Sequence, residues 1–130
     1  MSREEFEKLI EEGYEKLPEW VRAKIKNVAI LIEDEPSEEV RVREGLEEDE
    51  TLLGYYQGIP LTARGDHYGV GITMPDTITL YQLPIEHAAQ EDELSVAQVV
   101  AETIWHEVGH YMGLDEHEVR HRENIRDGRI

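Results

Sequence analysis

Apolar positions recur at two periods along this chain, and the switches between them mark out its elements. Over residues 2–17, Phe6, Leu9, Ile10, Tyr14 and Leu17 return at helical spacing, which predicts an amphipathic helix. Ser2 with Glu5 makes a capping box at its start, and Pro18 ends or kinks it. A short second helix is expected from Trp20 to Lys26. Val28-Ala29-Ile30-Leu31-Ile32 is a β-branched run and reads as a buried strand. Residues 33–51 are acidic, contain Pro36 and Gly45, and read mostly as loop. Leu52 to Leu61 predicts another strand with a bend near Gly58-Ile59-Pro60. Ala63 to Pro75, with Gly65, Gly69 and Gly71, suits a flexible loop or hairpin. Thr77 to Leu83 alternates in the manner of a strand and is expected to stop at Pro84.

The last 40 or so residues change the period again. Ser95 and Gln98 form a second capping box, opening a helix that runs to about Met112, where Gly113 stands in the place of a C-cap glycine. A further short helix is expected over Glu116 to Ile125. Helix, strands and then helices imply an α+β fold, a small mixed sheet packed against helices. The 130 residues amount to a single domain.

Composition narrows the function. The net charge of −17 counts against nucleic acid or an anionic membrane as partner. Arg120, Arg122, Arg126 and Arg129 do cluster near the end, but acids are interleaved with them, as on a solvated helix face. Glu35 to Glu50 and Glu86 to Glu93 carry much of the acid and read as loops flanking an ordered body. The absence of cysteine excludes disulfides, thiolate catalysis and Cys-type metal sites. The first residues lack the basic and apolar regions of a signal peptide, and no apolar run is long enough to span a bilayer, so the expected location is cytoplasmic.

Candidate chemistry lies on the final long helix, in His106-Glu107-Val108-Gly109-His110. Residues four apart share a helix face, so two imidazoles can converge on one divalent ion, and H-E-x-x-H is the spacing of zinc peptidases. Glu107 stands about a quarter turn away, where it reaches a water molecule rather than the metal, and so fits a general base. At roughly 100° per residue, His106 and His110 share a face with Val99 and Thr103. Ala97, Ala101, Ile104, Val108 and Tyr111 fall on the opposite side and are expected to face the core. Composition alone gives about 0.05 chance matches to the motif, and about 0.001 once Gly113 and an acid at 116 are also required. The helix-ending Gly113 lets the chain turn back, so Glu116 is the candidate third ligand. Asp115 and His117 are chemically competent neighbours, and His121 and Glu123 are more distant candidates. Tyr111 and Trp105 read as packing residues. His67 fits a glycine-rich surface loop, while Tyr68 reads equally as a loop or a cleft residue.

The extended pattern resembles that of metzincins, which place a His where this chain has Glu116, although no methionine follows Gly113 here to make their Met-turn. A fuller resemblance is to a small bacterial zincin-like metallopeptidase family, the minimal zincins. It covers Leu17-Pro18, Glu33-Asp34-Glu35-Pro36, Leu53-Gly54-Tyr55-Tyr56-Gln57-Gly58-Ile59-Pro60-Leu61, Ile78-Thr79-Leu80-Tyr81 and the H-E-x-x-H helix. The family usually has Asp at the position of Glu116, so the carboxylate is kept on a longer arm. The resemblance implies a zincin-like fold, Zn2+ held by His106, His110 and Glu116, and Glu107 as general base acting on a peptide or protein substrate. It also implies an edge strand beside the site to hold extended peptide, for which Thr77 to Leu83 is the candidate. The alternative is a zincin-like scaffold that binds metal or a protein without hydrolysis, which the small size favours.

Overall fold

The computed structural model describes residues 1–58 and 75–113. The first helix, α1, spans Arg3–Glu15 and buries Phe6 and Ile10, as the apolar spacing predicts. The Ser2 side chain accepts from the Glu5 backbone N–H (3.1 Å), so of the expected box the Ser2 half forms among the described residues. The second helix, α2, is a single turn, Glu19–Arg22, shorter than expected, with Val21 buried.

Strand β1 (Val28–Glu33) is not the buried strand that its composition predicts. Among the described residues it lies at one edge of the sheet, and Val28, Ile30 and Ile32 are only half covered while Leu31 is exposed. The expected loop over 33–51 contains a helix, α3 (Glu38–Glu44). Ser37 caps its start by accepting from the Val40 N–H (3.3 Å), and Gly45 ends it at φ 64°. That left-handed position favours glycine, and Ser at one end with Gly at the other defines this helix despite its acid content. Strand β2 is Gly54–Gln57, shorter than the predicted run.

Strand β3 spans Asp76–Tyr81, and helix α4, Gln82–Glu91, follows it with no intervening residue. Pro84 therefore does not stop a strand; it sits in the first turn of α4, where its missing N–H costs nothing because helix starts leave those donors unpaired. The acidic stretch expected as loop is helical from Glu86 to Glu91, and Asp92 and Glu93 form the turn after it. The three strands among the described residues are ordered β1-β3-β2, with β1 parallel to β3 and β2 antiparallel to it. The fold is α+β, a small mixed sheet packed with helices.

Helix α5 (Val96–Tyr111) carries the H-E-x-x-H motif. Both halves of its capping box are present: Gln98 N–H donates to the Ser95 hydroxyl (3.1 Å), and Ser95 N–H donates to Gln98 Oε1 (3.0 Å). Met112 is its C-cap, and Gly113 follows at φ 88°. One face packs on α1, so closely that a Cβ on Gly13 would lie 3.1 Å from Ile104 Cδ1. Phe6, Ile10, Val100, Ile104 and Val108 form the centre of the core with Ile78 and Leu80 of β3. The expected helix over Glu116 to Ile125 and the loop over Ala63 to Met74 lie outside the described residues.

Candidate metal and catalytic site

Helix geometry brings the two histidines together. The ring centroids of His106 and His110 are 4.9 Å apart with 77° between the planes, and both side chains are partly open. The capping box fixes one end of their helix. At the other end, the Tyr111 hydroxyl lies 3.2 Å from both the Lys24 and Lys26 carbonyls and accepts from the Lys26 N–H. Tyr111 is thus buried and spent on backbone, as a packing residue, and its ring meets Tyr56 edge-on at 6.1 Å. Trp105 also belongs to the core.

The rest of the helix wheel is more enclosed than its pattern predicts. Val99 and Thr103, expected beside the histidines on the open face, are buried, whereas Ala97 and Ala101, expected in the core, are half-buried. The reason is β2, which crosses this side of α5. A Cβ on Gly54 would stand 2.8 Å from Thr103 Cγ2 and 3.1 Å from Glu107 Cγ. The carboxylate-bearing side chain is therefore wedged between its own helix and a strand, and Glu107 is only 7% exposed. This contact was missed in the sequence; the signal was a lone glycine in a tyrosine-rich strand, which marks close approach by another element.

Two further polar contacts brace the strands around the site. Tyr56 donates to Asp76 Oδ2 (2.6 Å), and the Asp76 N–H donates to Asn27 O (3.0 Å), joining β2, β3 and the start of β1. On the opposite sheet face, burial first, and then the Glu44 carboxylate of α3, push the Tyr55 phenol up. Tyr81 is fully enclosed, and burial, followed by the charge of Glu33, pushes its phenol up to about 12.

The strand assigned to substrate, Thr77 to Leu83, does not have a free edge. Its residues 77–81 belong to β3, paired on both sides, and residues 82 and 83 are already helix. Among the described residues the strand bordering the site is β2, and Thr77 to Leu83 is withdrawn from that role.

No third His, Asp or Glu joins His106 and His110 in a metal-holding group among the described residues. Glu116, Asp115, His117, His121, Glu123, His67 and Tyr68 all lie outside them. Two neighbouring imidazoles on one helix face, with a carboxylate at the adjoining position, nevertheless form a donor set suited to zinc, since histidine nitrogen is among its preferred ligands.

An α+β fold with an H-E-x-x-H helix laid against a small sheet defines a zincin-like protein. Residues 25–125 match the sequence profile of the zincin-like metallopeptidases, and the chain belongs to that family. Among solved structures, a conserved hypothetical protein from Thermus thermophilus is similar at 23% identity and TM-score 0.51, over 99% of this chain and 100% of that one. No curated protein matches. No helix among the described residues is long and apolar enough to cross a membrane.

Proposed function

We propose that this protein is a zinc-dependent metallopeptidase that hydrolyses peptide bonds, with Glu107 as general base. The observation carrying this reading is the adjacency of the His106 and His110 rings on the face next to a carboxylate that β2 holds in place. His106 and His110 would hold the ion, with Glu116 as the third protein ligand by family resemblance. When bound, the ion supplies Lewis acidity and makes water a competent nucleophile at neutral pH. Glu107 takes the proton of the attacking water and delivers it to the departing amine. Its confinement between α5 and β2 keeps the carboxylate aimed without loss of side-chain freedom at each turnover. Strand β2 takes over the role of peptide-holding strand, pairing with extended substrate along its outer side.

The experiment is metal analysis and cleavage of an unbiased peptide library, wild type beside Glu107→Gln. Stoichiometric zinc in both proteins is expected, with hydrolysis lower by about 10²–10⁴-fold in the variant. Zinc in both with cleavage in neither would transfer the protein to the non-hydrolytic scaffold reading. No transition metal in either would remove the metallopeptidase reading altogether.

A further inference from the structure

A concave surface lies on the far side of α5 from the histidines. It is a groove of about 550 Å³ between α1 and the edge strand β1, floored by Ile10, Val28, Ile30, Ile32 and Val108, with Glu7, Glu11 and Glu15 among its lining residues. Its floor explains why β1 is half covered: the core-facing side chains of the strand look into the groove instead of meeting α1.

The rim has an unusual charge order. On α1, Glu4, Lys8, Glu12 and Lys16 follow one line of i,i+4 positions with alternating sign. Glu7, Glu11 and Glu15 follow another line, all acidic, and it is this line that borders the apolar floor. Like charges one turn apart destabilise a helix. All three are exposed, and none has an ion pair among the described residues. The repulsion and the half-wetted isoleucines are both relieved by one kind of occupant, one that brings aliphatic side chains and positive charge together.

We propose that this groove is the docking site of a basic amphipathic helix from a partner protein, aliphatic face inward and a line of Lys or Arg along Glu7, Glu11 and Glu15. The helical repeat of the rim, about 6 Å per carboxylate, equals the i,i+4 spacing on such a partner. A second copy of this chain is a poor occupant, because it brings the same net charge of −17. Val108 is the link to the candidate catalytic face, since it floors the groove from the helix that carries both histidines.

The test is fluorescence anisotropy of the full-length protein with a labelled synthetic peptide, helical, with leucines on one face and lysines at i,i+4 beside them. A scrambled peptide of equal composition is the control. The Glu7→Gln, Glu11→Gln, Glu15→Gln triple variant alters only exposed side chains and is checked for folding by circular dichroism. The amphipathic peptide should bind, weaken with salt, and bind roughly tenfold less tightly to the triple variant. Equal binding of the scrambled peptide, or an unaffected triple variant, would reduce the interaction to the general acidity of the protein and overturn the proposal. So would no binding at all. Tighter binding when Arg120, Arg122, Arg126 and Arg129 are changed to Gln would give the groove to the protein's own C-terminal residues. A wild-type dimer dissolved by the triple variant would give it to self-association. Either result removes the partner helix.

Discussion

Gly54 shows how much one missing methyl group can carry. A Cβ there would press on Thr103 and Glu107 together, the first at 2.8 Å, well inside contact distance. Gly54→Ala must therefore push β2 off α5 or turn the Glu107 side chain. The expected cost is about 1–3 kcal/mol of stability, the usual range for overpacking. Activity should fall by more than the loss of folded protein explains, read as kcat per folded molecule at a temperature where the variant is intact. An unchanged kcat would mean that the strand does not aim Glu107. Tyr81 makes a prediction of a different kind. Its phenol is held near 12 in the fold against 10.0 in a free chain, so the fold binds this proton more tightly than the unfolded chain does. The resulting stabilisation is complete below pH 10, drains away as the pH climbs through 12, and amounts to about 2–3 kcal/mol. Urea titrations of wild type and Tyr81→Phe across that window should diverge, with the wild type losing more stability as the solution becomes alkaline. Parallel curves would show that Tyr81 ionises as readily folded as unfolded.

At the scale of elements, local signals were legible and lateral ones were not. The period of Phe6, Ile10 and Tyr14 located α1, and Ser95, Gln98 and Gly113 bracketed α5 to within a residue or two, because caps are written in neighbouring positions. Helix α3 is equally local, with Ser37 and Gly45 as its two ends, and its acidic composition masks those signals in the sequence. Pro84 breaks a helix only in its interior, and in the first turn of α4 it is tolerated. The role of β1 could not be read at all from Val28 to Ile32. A β-branched run has the same composition at the centre of a sheet and at its edge, and only its neighbours decide. The mistaken substrate strand has the same origin: alternation in Thr77 to Leu83 reports that a strand forms, not which of its sides is already paired. Of the candidate site, the helical half followed from spacing alone. The strand that confines Glu107 comes from Gly54, more than fifty residues earlier, and no periodicity connects the two.

For the molecule as a whole, the helix bearing the motif is also the hub of the packing. It touches α1, α4, β2 and β3, with the histidines on one face and Val108 in the groove on another. The helix is anchored by its capping box at one end and by Tyr111 at the other. The first anchor lies at the start of the helix, about three turns before His106, and the second is Tyr111, next to His110.

The Tyr111 anchor also orders events during synthesis. Its hydroxyl meets backbone 85 and 87 residues upstream, and α1 rests on the same late helix. A nascent chain that has emerged only as far as β3 displays Phe6 and Ile10 with no α5 to cover them. Compaction must wait for α5 to leave the ribosomal exit tunnel, as expected when the closing contacts are distant in sequence. Stalled chains ending before Val96 should accordingly remain open to protease, while chains carrying a spacer beyond Gly113 become resistant in a single step. Resistance in the shorter chains would mean that the amino-terminal half settles without α5.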